Sequence, residues 1–135
     1  MIKKYDHVGL VVKDAEKAVT LLSSLFGFEI SESNASPEEG FRSTLISKAD
    51  VALELIEPIG PQGMIQKFIE KRGGGLHHIS VQVDDLEEEM KRLGTHGVQF
   101  ASKEPLQVTD TSKVVFIHPR STDGILIELI ERKQP

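Results

Sequence analysis

The chain has 135 residues, 39% of them apolar, and a formal net charge of -5 at pH 7, which allows one domain with a sizeable core or two half-domains sharing one. The acidic excess excludes a phosphate-tracking nucleic-acid binder, whose footprint would be basic. The lack of cysteine excludes a disulfide framework and thiol chemistry and suits a reducing cytosol. No apolar run is long enough for a signal-peptide core or a bilayer span, so a cytoplasmic protein with no membrane partner is expected.

Residues 5 to 12 alternate, placing Tyr5, His7, Gly9 and Val11 on one face and Val8, Leu10 and Val12 on the other, the period of a strand. Asp14 is an N-cap for a helix whose apolar positions are Ala15, Val19, Leu22, Leu25 and Phe26, and Gly27 ends it. Phe28 to Ser31 reads as a strand, Ser33 to Gly40 as a polar loop, and Phe41 to Ser47 and Val51 to Glu57 as two more strands. In the last of these, Glu54 shares a face with Ala52 and Ile56, a charge where a half-buried strand wants solvent or a partner. Pro58 to Gly75 is a connector, with a short helix opened by Pro61, Met64, Ile65, Phe68 and Ile69 on its apolar side, and Gly73-Gly74-Gly75 as its stop. His77 to Val83 is a strand in which His78, Ser80 and Gln82 share a face. The helix after Asp84 or Asp85 buries Leu86, Met90 and Leu93 and turns Glu87, Glu88, Glu89, Lys91 and Arg92 to water. Val98 to Ala101, Lys113 to His118 and Gly124 to Glu131 are strands, with loops at 102–112 and 119–123.

The second half copies the first. Val51-Ala52-Leu53-Glu54-Leu55-Ile56-Glu57 recurs as Ile125-Leu126-Ile127-Glu128-Leu129-Ile130-Glu131, and the run from Asp6 to Asp14 as that from His77 to Asp85, with His7 on His78. Gly27-Phe28-Glu29-Ile30 likewise falls on Gly97-Val98-Gln99-Phe100, at offsets of about 70 to 74 residues that loop insertions absorb. The order is β-α-β-β-β twice, an α+β fold of two tandem modules, about 4–58 and 76–133, joined by a connector helix in 59–75. Two half-buried sheets cover each other about a pseudo-twofold axis, so His7, Glu54, His78 and Glu128 are expected to converge. Two imidazoles and two carboxylates suit a divalent ion such as Zn, Mn, Fe, Co or Ni.

Singly, each residue has a duller role, since strand histidines are usually structural and strand glutamates usually lie on an exposed face. The duplication is what lifts the four above that reading. His77 points opposite to His78, and His96 lies in the helix-ending Gly94-Thr95-His96-Gly97 loop, so both read as structural; His118, before Pro119, is a candidate pocket residue. No Gly-x-Ser-x-Gly or GxxxxGK motif is present.

The duplicated βαβββ module with ligands on its strands resembles the vicinal-oxygen-chelate (glyoxalase/bleomycin-resistance/dioxygenase) superfamily, whose paired modules form a cup around a metal ion. Within it, the chain is similar to the methylmalonyl-CoA epimerase family. That likeness is carried by Asp6-His7-Val8-Gly9-Leu10-Val11-Val12, the run from Glu54 to Gly60, that from Lys67 to Arg72, Gly75-Leu76-His77-His78-Ile79, Val83-Asp84-Asp85, the run from Phe116 to Ser121 and that from Gly124 to Leu129. The resemblance implies inversion of the carbon alpha to a coenzyme A thioester, a divalent cofactor (Co, Zn, Mn, Ni or Mg) on His7, Glu54, His78 and Glu128, and a homodimer. It makes Glu128 the first candidate base. Some relatives carry a further basic glutamate on the third strand, where this chain has Ser43, and a glycine-containing loop where it has Gln107-Val108-Thr109-Asp110-Thr111-Ser112. Lys71, Arg72, Lys113 and Arg120 are the cations nearest to hand for coenzyme A phosphates. The alternatives are a glyoxalase I-like lyase, whose bacterial members resemble this chain in using a His, Glu, His, Glu set, and a metal-free small-molecule binding or resistance protein on the same fold.

Overall fold

A computed structural model describes residues 1–133. The chain is α+β, and its two compact units are His7–His77 and, apart from it in sequence, Met1–Asp6 together with His78 onward.

The unit of residues 7–77 holds the second half of β1 (Ile2–Val11), then α1 (Ala15–Phe26), β2 (Glu29–Ser36), β3 (Phe41–Lys48), β4 (Val51–Pro58) and α2 (Met64–Arg72). Its strands lie in the order β2-β3-β4-β1, with β4 parallel to β1 and the other neighbours antiparallel. β4 reads as a near-continuous apolar run because it is covered on both faces. On one face Leu53 and Leu55 pack with Ala15, Ala18, Val19 and Leu22 of α1, and on the other Ile56 packs with Val11 and Ile65.

α1 begins and ends where its caps dictate: the Asp14 side chain accepts from the Lys17 N–H, and Gly27 takes the left-handed conformation that closes the last turn. The core-facing positions of α1 are 15, 18, 19 and 22, one helical stripe. Leu25 and Phe26, expected to be buried, are 61% and 62% exposed, because the last turn runs past that stripe and Phe28 fills the core instead. In α2, Ile65, Phe68 and Ile69 face the core as expected, whereas Met64 at its first position is exposed. Gly73 caps α2 in the left-handed region, and Gly74 at φ 109° follows, where an added Cβ would meet the Val11 carbonyl oxygen at 2.9 Å. The glycine run is therefore a turn pressed against β1, as read from the sequence, with backbone at 74 where a side chain would collide.

The other unit contains β5 (Gly75–Val83), whose first residues lie in the unit just described, then α3 (Leu86–Gly94), β6 (Leu106–Thr109), β7 (Ser112–Ile117) and β8 (Ile127–Arg132). Its order, β5-β8-β7-β6, repeats the first topology strand for strand, again with the last strand parallel to the first. The register repeats as well: Glu54 stands opposite Gly9, and Glu128 opposite Ser80. Val83, Leu86, Val115, Ile117 and Leu129 form the core here, with Met90 and Leu93 of α3 against it.

Three expectations about strands and loops are corrected. The polar stretch from 33 is strand as far as Ser36, an exposed edge paired to β3 from Ser33↔Thr44 to Ser36↔Phe41; cross-strand pairing overrides the turn preference of Ser and Asn. Residues 98–101 make only the isolated bridge Phe100↔Ile117, so the second copy of β2 is β6, inside the segment expected to be loop. Residues 119–122 form a short 3-10 helix, with His118 as its cap: the His118 Nδ1 accepts from the Arg120 N–H at 3.1 Å.

The second carboxylate of each repeated run has the same structural task in both halves. Glu57 accepts from the Ala15 N–H at 2.8 Å, and Glu131 from the Leu86 N–H at 2.8 Å, each receiving a first-turn amide of the helix that packs on its own strand. Glu131 is buried. Replacing it with Ala strands that amide, and we expect Glu131→Ala to lower the unfolding free energy by about 1 to 3 kcal/mol, read as a shift of the urea midpoint at constant slope.

Glu89, expected on the wet side of α3, is buried and bonded to Arg92, whose guanidinium holds the Glu89 carboxyl below its ordinary range. Arg132 closes this unit from the other end, its Nε and one terminal nitrogen donating to the two oxygens of Asp6 at 2.8 and 2.9 Å. No helix among the described residues is long and apolar enough to cross a membrane.

Candidate metal-binding residues and family membership

His7 lies on β1 on the face opposite Leu10 and Val12, and is buried at 4% exposure. Its Nε2 stands 3.5 Å from Glu54 Oε1, the carboxylate that the parallel register of β1 and β4 sets across from Gly9. The other oxygen of that carboxylate, Oε2, accepts a hydrogen bond of 2.6 Å from the Ser43 hydroxyl on β3. The repeat places a second pair in the other unit. His78 Nε2 stands 3.9 Å from Glu128 Oε1, and both residues are buried. The His78 ring meets Phe116 edge-on at 5.4 Å between centroids, and Phe116 is the register partner of Glu128 on β7.

These spacings are informative. Two ligands about 2.1 Å from one ion, at the angles of a tetrahedron or octahedron, lie about 3.0 to 3.4 Å from each other. The His7–Glu54 pair, at 3.5 Å, lies just outside that range and the His78–Glu128 pair, at 3.9 Å, is clearly wider; both are longer than a good hydrogen bond. Imidazole nitrogen with carboxylate oxygen is a donor set for borderline divalent ions, so each half presents a pair that fits such an ion.

Ser80 was not singled out by its chemistry in the sequence. It follows His78 by two residues on β5, is fully buried, and its hydroxyl has no hydrogen-bond partner among the described residues. A buried hydroxyl without a partner calls for an explanation. The available signal was positional: Ser80 occupies the duplicate of Gly9, opposite the second carboxylate.

The remaining candidates divide. His77 packs edge-on against Phe68 at 5.4 Å, and His96 Nδ1 lies 3.0 Å from the Arg92 carbonyl oxygen. His118 has its Nδ1 committed to the cap of the 3-10 helix. Of the four cations considered for phosphate, Lys113 is engaged: it bonds both oxygens of Glu87, at 2.6 and 2.8 Å, and lies 3.8 Å from Glu131. The hydrogen bond to Glu87 raises the Lys113 pKa above its ordinary value and lowers that of Glu87. Arg72 lies over the Phe68 ring, 5.1 Å from its centroid.

The family model for the Glyoxalase/Bleomycin resistance protein/Dioxygenase superfamily matches residues 6–116. The chain belongs to this superfamily. Among superfamily relatives, it is 31% identical over 132 residues to "Methylmalonyl-CoA epimerase, mitochondrial" of Dictyostelium discoideum, covering 97% of this chain and 80% of that one. It is 32% identical over 131 residues to the "Ethylmalonyl-CoA/methylmalonyl-CoA epimerase" of Cereibacter sphaeroides, covering 96% and 98%. Among solved superfamily structures, a variant of Streptomyces coelicolor methylmalonyl-CoA epimerase in complex with 2-nitronate-propionyl-CoA superposes with a TM-score of 0.90 at 26% identity, covering 99% of this chain and 100% of that one. The tandem βαβββ architecture read from the repeat is thus the fold of this superfamily.

Proposed function

We infer that this chain is an epimerase that interconverts the (R) and (S) forms of methylmalonyl-CoA. The observation that carries the reading is near-full-length similarity, at about 30% identity, to proteins named for that activity, in a chain whose two halves each supply a His–Glu pair on a buried histidine. An acyl-coenzyme A thioester is accordingly the substrate class, as in the complex with 2-nitronate-propionyl-CoA.

We propose that His7, Glu54, His78 and Glu128 together hold one divalent ion, of Co, Zn, Mn, Ni or Mg. The donor types and the approach of histidine to glutamate within each half support this reading. When bound, such an ion supplies positive charge that stabilises the negative charge growing on the substrate as its alpha proton departs.

The residues of the chain do the rest. His7 and His78 offer imidazole nitrogen from strands, which fix geometry better than loops do. Glu128 accepts the alpha proton, and inversion is completed when a proton is returned to the opposite face of the carbon. The Ser80 hydroxyl, beside Glu128 in register, is a buried donor for a polar group of the bound substrate. The enzyme works as a homodimer in the cytoplasm on this reading; the cysteine-free composition is compatible with a reducing compartment, and sedimentation of the purified protein tests the dimer.

The test of the reaction uses the purified protein in deuterated water. Incubation with methylmalonyl-CoA is expected to place deuterium at the alpha carbon in the presence of a divalent ion and to lose that ability after chelation. Methylglyoxal with glutathione is the parallel incubation. Consumption of the hemithioacetal without any exchange on methylmalonyl-CoA would replace the epimerase with a lyase, and a protein that retains no divalent ion and exchanges nothing would point to a binding protein.

A further inference from the structure

We propose that Ser43 is a positioning residue for the metal site: its hydroxyl ties down one oxygen of Glu54, so that the other is presented to the ion as a single, oriented ligand. The inference rests on the metal reading above and adds to it a residue that orients one of the ligands.

The geometry is local to one unit. Ser43 lies on β3 two residues before Leu45, the register partner of Glu54, so Ser43, Leu45 and Glu54 share a face of the sheet. The Ser43 Oγ donates to Glu54 Oε2 at 2.6 Å, the length of a charge-assisted bond from a hydroxyl to a carboxylate. The other oxygen, Oε1, is the one that faces His7 Nε2 at 3.5 Å. One oxygen is therefore engaged by a neighbouring strand while its twin points toward the imidazole. A partner outside the coordination sphere that fixes a ligand in this way typically contributes 10- to 100-fold to metal affinity.

The duplicated half is built differently at the same point. Ser43 pairs with Ile56, two residues after Glu54, and the matching pair in the other unit is Val114 with Ile130, two residues after Glu128. Valine has no hydroxyl to give. Two carboxylates equivalent by duplication thus differ in their third-strand support: Glu54 is tethered by serine, and Glu128 faces an apolar residue at the corresponding place.

Cobalt(II) is the probe, because its visible absorption reports the ligands around it as well as occupancy. The parent protein, Ser43→Ala and Ser43→Thr are each stripped with chelator and titrated with cobalt(II) against a competing chromophoric chelator. The proposal expects Ser43→Ala to bind cobalt(II) at least about 10-fold more weakly than the parent, with an altered spectrum, while Ser43→Thr, which keeps the hydroxyl, binds like the parent. The melting temperature of metal-free Ser43→Ala is expected to match that of the metal-free parent. Equal affinity in Ser43→Ala and the parent overturns the proposal and leaves the metal reading standing. A Ser43→Thr protein as weak as Ser43→Ala, with both metal-free forms melting below the parent, assigns Ser43 to packing and also overturns it. A parent that binds no cobalt(II) overturns the metal reading itself.

Discussion

Glu128→Gln is expected to slow deuterium exchange at the alpha carbon of methylmalonyl-CoA by about 100- to 10,000-fold, the range that a positioned general base contributes. Glutamine has the volume of glutamate and retains a carbonyl oxygen that can face His78, but it cannot accept the substrate proton at neutral pH. Glu128 is buried, with Phe116 across from it on β7 and Ser80 across from it on β5, so the replacement removes a charge without opening a cavity. The same change weakens metal retention, because a neutral amide is a poorer ligand than a carboxylate for these ions. Exchange is therefore measured at metal concentrations that saturate the variant. Glu54→Gln under the same conditions separates ligand from base: it too is expected to hold metal less well, yet to recover most of its exchange once saturated. Full exchange in Glu128→Gln would remove Glu128 as the proton acceptor.

Leu55→Ala is expected to carry the largest stability loss of the changes considered, about 2 to 5 kcal/mol. Leu55 is 1% exposed and packs in the cluster of Ala15, Phe28 and Ile46 beneath α1. Both neighbours of Leu55 on β4 are committed, Glu54 to His7 and Ser43 and Ile56 to Val11 and Ile65, so the strand has little freedom to collapse into the void. The loss appears as a lower urea midpoint at unchanged slope. Because Leu55 and Glu54 lie on opposite faces of the strand, metal affinity of the folded variant is expected to stay within a few-fold of the parent. A large loss of affinity at full folding would mean that packing under α1 sets the orientation of Glu54, in place of the hydrogen bond from Ser43.

The two carboxylates of each repeated run show how far local sequence can be read. Glu54 and Glu128 stand out in the sequence as candidate ligands because an apolar strand does not tolerate a charge without a reason. Glu57 and Glu131, three residues later, carry the same chemistry and the same duplication, yet their role as acceptors for the first amides of α1 and α3 emerged only from the packing of helix on strand. Burial of Glu89 was illegible for a similar reason: in a run of three glutamates the period of the helix does not say which one the Arg92 guanidinium will accompany.

By itself the sequence determined the duplicated βαβββ order and the helix caps at Asp14 and Gly27, narrowed the start of α3 to Asp84 or Asp85 and the stop of α2 to the glycine run, and nominated His7, Glu54, His78 and Glu128 as candidate ligands, since all of these depend on residue type, spacing and self-similarity; Asp85 and Gly73 were selected by the packed structure. The tertiary structure alone decided the extent of β2 and the existence of β6, because edge strands of polar residues are held by a neighbour's hydrogen bonds and not by their own propensity. It also decided that Ser43 bonds Glu54 and that the corresponding Val114 has no hydroxyl to offer Glu128. Strand register is the physical reason: one residue of slip would turn either side chain to the other face, and the register is set by the whole sheet.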